Sequence, residues 1–198
     1  MAEADQSVLV AVVYHSGYGH TAKQAEAVAE GAASASGVES RLFSVEEVDG
    51  AWEELERAEA IIFGTPTYMG GPSAPFKTFE DATSHVMMAG KWKDKIAAGF
   101  TNSGSRSGDK LATLIQLAIF AAQHGMHWVN LGLPPANHSS TGSEEDLNRL
   151  GFFLGAGAQS NVDEGPETAP PEADLATARH LGRRVALVAR QFASSVTT

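Results

Sequence analysis

The stretch Val8–Tyr14 (VLVAVVY) constrains this chain more than any other. An unbroken run dominated by β-branched side chains offers no polar face, so the strand it forms must be covered on both sides, as a central strand of a parallel sheet is. Parallel strands need crossover connections, and the sequence supplies one at once. After the glycine-containing turn Ser16–His20, the residues Ala22, Ala25, Val28, Ala29 and Ala32 recur at spacings of three and four, which predicts an amphipathic helix ending near Ser36-Gly37.

The alternation continues along the chain. Val38–Phe43 reads as a strand nearer the sheet edge, and the acidic segment Glu46–Glu59 holds a short helix around Trp52–Arg57. Ala60–Gly64 is a short buried strand that runs into the loop Thr65–Gly71 (TPTYMGG), followed by a helix over Ser73–Met88. Ile96–Thr101 is the next strand and opens into the loop Asn102–Gly108 (NSGSRSG). The helix Asp109–His124, with Leu111, Leu114, Ile115, Ala118, Ile119 and Ala122, ends at the C-cap Gly125, and His127–Leu131 is the fifth strand. From Gly132 to Pro171 the chain is rich in Gly, Pro, Ser and Asn, with a short helix expected at Glu144–Leu150; so long a loop is usually functional or interfacial. Leu175, Ala178, Leu181, Val185, Val188, Ala189 and Phe192 mark a final helix. We expect one domain over residues 1–198, an α/β fold with a doubly wound parallel sheet. Its ligand would lie outside the carboxyl ends of the strands, so the loops after the first, third and fourth strands matter most.

Composition narrows the chemistry. The 198 residues include no cysteine, which excludes a thiol nucleophile, a thiolate-held cluster and a disulfide framework, so any redox chemistry comes from a bound cofactor. With 14 Lys+Arg against 24 Asp+Glu, the formal charge of -10 gives no basic footprint for nucleic acid or anionic lipid. The opening Met1–Ser7 is acidic and polar and reads as neither signal nor transit peptide, and no long apolar run suggests a membrane span; a cytoplasmic protein is expected.

Three loops carry the candidate site. Ser16-Gly17-Tyr18-Gly19-His20-Thr21 follows a buried strand and opens a helix, so backbone N–H groups, the helix dipole and two hydroxyls converge as they would on a phosphate. The P-loop pattern G-x-x-x-x-G-K-[ST] is absent, which argues against nucleoside triphosphate hydrolysis. The plain structural alternative is an ordinary turn with Ser16 or Thr21 as helix cap. Gly17-x-Gly19-x-x-Ala22 also fits a dinucleotide fingerprint, but the acid it needs near the end of the second strand is missing; Glu39 lies at that strand's start, and Arg41 leaves an NADP version open. In the second loop, Pro66, Thr67, Tyr68, Met69 and Gly70 suit the face and edge of a flat aromatic ligand. The third, Thr101, Asn102, Ser103, Gly104, Ser105, Arg106, Ser107 and Gly108, lets main-chain N–H groups approach a second edge; its GSRSG is no nucleophile elbow, because Arg106 occupies the serine position.

These loops, with AGFTNSGS at Ala98–Ser105, QHGM at Gln123–Met126 and GFFLGA at Gly151–Ala156, resemble in order and spacing the flavodoxin-like Trp-repressor-binding-protein (WrbA) family, over nearly the whole chain. The resemblance implies a three-layer α/β/α fold with a five-stranded parallel sheet in the order 2-1-3-4-5, and an FMN-dependent NAD(P)H:quinone oxidoreductase. It puts the FMN phosphate on Ser16 to Thr21, the ring against Pro66 to Gly70, and the pyrimidine edge near Asn102 to Gly108. His124, with Tyr18 and Met87, would face the flavin or its substrates, and a homotetramer or homodimer is implied. The family commonly has Arg-Phe at Tyr68-Met69, Trp at Met87 and Pro-Tyr at Phe153-Leu154, so the walls around the ring differ here.

The other histidines read as ordinary. His124 and His127 are interrupted by Gly125 and have no carboxylate neighbour in sequence, so no metal is expected; His15, His85, His138 and His180 read as surface or loop residues. Glu144-Glu145-Asp146 reads as a solvated helix start. An electron carrier or regulatory flavoprotein that binds FMN without efficient NAD(P)H turnover is the alternative reading.

Overall fold

The computed structural model describes residues 7–196, so the expectation for Met1–Gln6 lies outside the described residues. The elements are β1 (Val8–Tyr14), α1 (His20–Ala33), β2 (Val38–Ser44), α2 (Trp52–Arg57), β3 (Ala60–Tyr68), β4 (Gly71–Pro72), α3 (Ala74–Ala82), α4 (Ser84–Met88), β5 (Ile96–Ser103), α5 (Lys110–Gln123), β6 (His127–Trp128), β7 (Ala156–Gln159) and α6 (Glu172–Val196).

The parallel order is β2-β1-β3-β5-β6, with β1 central and buried as its sequence requires. Alternation along the strands builds two cores. Val10, Val12, Ala60, Ile62 and Phe100 face α1 and α6, while Ala11, Val13, Ile61, Phe63 and Ala97 face Leu55, Phe76, Phe79, Trp92, Leu117 and Phe120 from the opposite layer. The chain is therefore a flavodoxin-like three-layer α/β/α fold. No helix among the described residues is long and apolar enough to cross a membrane.

Five expectations need correction. The fifth strand is split: β6 pairs with Ile96 and Ala97, whereas β7 pairs with Phe100–Ser103 further along the same edge. Residues 132–171 are thus not one loop, because Ala156–Gln159 returns to the sheet. Glu144–Leu150 forms turns rather than a helix. There the Asp146 carboxylate accepts the Ser143 N–H at 2.8 Å and Asn148 takes φ 54, so side-chain bonding and left-handed backbone displace the helical ladder. Helix Ser73–Met88 is broken at Thr83, whose hydroxyl donates to Glu80 O at 2.7 Å. Finally, the second loop is mostly strand: β3 continues through Tyr68 and turns at Met69 and Gly70, both at positive φ, into β4.

Candidate active site

The first loop ends β1 and begins α1. Gly19 is the N-cap residue at φ 89, a conformation that suits glycine, so no side chain caps the helix there. Ser16 does the capping from further back, its Oγ accepting the Ala22 N–H at 3.1 Å. The N–H groups of Gly17, Tyr18, Gly19, His20 and Thr21 then donate to no acceptor among the described residues. The start of α1 is a row of unpaired donors at the positive end of a helix dipole. Because the Ser16 hydroxyl accepts from Ala22, its own proton remains available to an anion. The capping and anion-binding readings of this loop hold together.

The second loop is registered against the first by a buried hydrogen-bond chain. His15 Nδ1 and Ser73 Oγ share a bond of 2.8 Å, Ser73 Oγ lies 3.1 Å from Thr65 Oγ1, and Ser73 caps α3. His15 is thus buried structure, not a surface residue; desolvation lowers its basicity, opposed by Glu46 at 3.4 Å.

Between the loops lies a cavity of about 540 Å³, a size suited to a cofactor. The first loop lines it with Ser16, Tyr18, His20 and Thr21, the second with Pro66 and Tyr68, and the third with Asn102, Ser103 and Gly104. Tyr18 and Tyr68 meet edge to face at a centroid distance of 6.4 Å, and desolvation, then Tyr18, pushes the Tyr68 phenol up. A fourth wall, Ser160, Val162, Glu164 and Gly165, was not singled out from the sequence. It follows β7: Asn102 Nδ2 donates to Ser160 Oγ at 2.9 Å, and His20 Nε2 lies 2.8 Å from Glu164 O. Only the general signal of an overlong loop pointed there.

Residues 7–139 match the model of the NADPH-dependent FMN reductase family. The chain belongs to that family. A Pseudomonas aeruginosa relative named flavodoxin FldP is 46% identical over 188 residues, covering 91% of this chain and 96% of the relative. A Geotalea uraniireducens relative named NAD(P)H dehydrogenase (quinone) is 34% identical over 206 residues, covering 93% and 98%. The crystal structure of a WrbA-like flavodoxin from Agrobacterium tumefaciens is 44% identical, with a TM-score of 0.74 and coverage of 93% and 99%.

Several candidate residues of this FMN reductase family member do not reach the cavity wall. Thr67 and Thr101 are buried beneath it in a threonine cluster, with Thr67 Oγ1 2.8 Å from both Thr101 Oγ1 and Thr113 Oγ1. Met69 and Gly70 form the hairpin tip, where Met69 is fully exposed. Ser105, Arg106, Ser107 and Gly108 lie outside the lining; Arg106 pairs at 2.6 Å with Glu144, which also pairs at 2.6 Å with Arg149. Glu144 is therefore an ion-pair bridge and not a helix start.

His124 is not brought to the cavity within this chain. It follows the far end of α5, beside the amino end of β5, and fourteen helical residues at 1.5 Å each separate the helix ends by about 20 Å. Its ring packs on Trp92 at 4.6 Å and Phe120 at 4.9 Å, and Nε2 lies 2.9 Å from Thr83 Oγ1. Desolvation lowers its pKa to about 4, so it is neutral at pH 7. Met87, on α4, is likewise absent from the lining. No cluster of metal-holding side chains occurs among the described residues.

Proposed function

We propose that this chain is an FMN-dependent oxidoreductase that moves two electrons from NAD(P)H to a quinone or related acceptor, by alternate binding of the two substrates over one cavity. The observation that carries this is the row of unpaired N–H groups from Gly17 to Thr21, opening into a cavity walled by Tyr18 and Tyr68. The donor set fits FMN: uncharged N–H groups and the Ser16 hydroxyl suit a phosphate monoester, and the tyrosines with Pro66 suit a flat ring. FMN, when bound, supplies the hydride chemistry; the protein supplies binding, orientation and electrostatics. Ser16 to Thr21 hold the phosphate, Pro66 and Tyr68 with the hairpin tip Met69 and Gly70 flank the ring over the buried Thr67, and the third loop from Asn102 bonds its polar edge. Tyr18 borders the space where substrates enter. The cytoplasm, where NAD(P)H is held, is the compartment this chemistry needs.

The test is addition of FMN followed by anaerobic NADH or NADPH. Quenching of flavin fluorescence on binding, then bleaching of the bound flavin and reoxidation by a quinone, is the expected course. Binding without bleaching would instead support an electron carrier, the reading favoured by the relative named flavodoxin. A homotetramer or homodimer belongs to the same proposal. It is supported by Leu111, Ile115 and Ile119, which form an exposed apolar stripe along α5, and a monomer mass in light scattering at micromolar concentration would overturn it.

A further inference from the structure

Lys110, the first residue of α5, is placed against two ordinary preferences. Its side chain is 0% exposed, and it sits at the positive end of a helix dipole, where cations are disfavoured. It forms no ion pair among the described residues. Its Nζ donates to Ser105 O and, at 3.2 Å, to Arg106 O, both in the third loop. The nearby carboxylate Asp174 is already held by Arg149 at 2.8 Å and accepts the Gln159 N–H. Around the loop the cations Lys110, Arg106 and Arg149 stand with the carboxylates Glu144, Asp174 and the exposed Asp109, but Glu144 and Asp174 are taken up by the arginines. A buried leucine or methionine would fill the same space without these penalties.

The loop's peptides show what the ammonium does. In a trans peptide the carbonyl of one residue and the N–H of the next point in opposite directions. With the Ser105 and Arg106 carbonyls turned in toward Nζ, the N–H groups of Arg106 and Ser107 are turned out, and neither finds an acceptor among the described residues. The backbone then reverses through Gly108 and Asp109 at φ 54 and 57 to bring Lys110 beneath the loop.

We propose that Lys110 is a positioning and electrostatic residue for the flavin: by holding the Ser105 and Arg106 carbonyls it fixes the third loop, whose Asn102, Ser103 and Gly104 line the cavity, and its charge favours the reduced, anionic cofactor over the oxidised one. This rests on the FMN reading above. Desolvation lowers the Lys110 pKa to about 8, with Asp174 on α6 opposing and Arg149 reinforcing the shift. The charge is therefore present at pH 7 and is lost as pH rises through that value.

The experiment uses the full chain loaded with FMN, comparing wild type with Lys110→Met and Lys110→Gln. Fluorescence quenching gives the affinity for oxidised FMN, and an anaerobic dye-linked titration gives the midpoint potential. Both variants are expected to lose about tenfold in preference for reduced over oxidised FMN, a fall of about 30 mV for a two-electron couple. Affinity for oxidised FMN should change less. In wild type, reduction should draw in an extra proton, so the potential falls more steeply with pH just above 8 than below it. Both variants should lack that inflection, which a merely space-filling side chain would not produce. Unchanged potentials in variants that bind FMN would overturn the proposal, and if neither variant folds, a wild-type profile without the inflection does so. Failure of wild type to bind FMN would overturn the functional reading instead.

Discussion

Lys110 and His124 stand at opposite ends of α5. Both are buried, and desolvation lowers both, to about 8 and about 4. Their situations are nonetheless opposite. Lys110 remains charged at neutral pH and spends its donors on the loop beside the cavity, whereas His124 is neutral in a cage of Trp92 and Phe120, its Nδ1 without a hydrogen-bond partner among the described residues. A perturbed basicity therefore does not by itself mark a functional group; position relative to the carboxyl ends of the strands does.

The contrast can be tested from both ends. The largest expected effect comes from Asp174→Ala, which strips the buried Arg149 of its buried carboxylate, leaves it only the more exposed Glu144 at 2.6 Å, and should cost about 3–5 kcal/mol in denaturant unfolding. A loss well below that would mean the cationic cluster is better hydrated than its burial indicates. At the other end, His124→Phe should change the pH dependence of stability. Because the folded pKa of about 4 lies below the ordinary histidine value of about 6.5, wild-type stability should fall as pH drops from about 6.5 to about 4, by roughly 3 kcal/mol. The variant should lose that slope yet keep FMN affinity; altered FMN binding would place His124 in the site after all. The smallest effect is expected from Ser16→Ala, which removes the cap on Ala22 and one phosphate donor: about 1 kcal/mol of stability and about tenfold in FMN affinity. Unchanged affinity would remove the Ser16 hydroxyl from the phosphate site.

Much of this architecture was legible before the fold was known. Trp52–Arg57 emerged as a helix with the boundaries expected, and Val8–Tyr14 as a central strand. What escaped notice has identifiable causes. Ala156–Gln159 (AGAQ) has no β-branched or aromatic residue; it is a strand because Phe100–Ser103 offers an open edge beside it. Thr67, expected against a flat ring, and Thr101, expected in the loop at its edge, instead meet under the cavity, because strand pairing brings them together. Ser160 to Gly165 lay in a segment whose composition said only that it was long.

By itself, then, the sequence determined the strand–turn–helix unit with its anion-binding loop, because neighbouring residues alone set its hydrophobic period, glycine turn and helix start. The tertiary structure decided which hydroxyls face the cavity, where the edge strand resumes, and which of two buried basic groups retains its charge. Those outcomes depend on pairing and desolvation by residues far away in the chain, which no local pattern encodes.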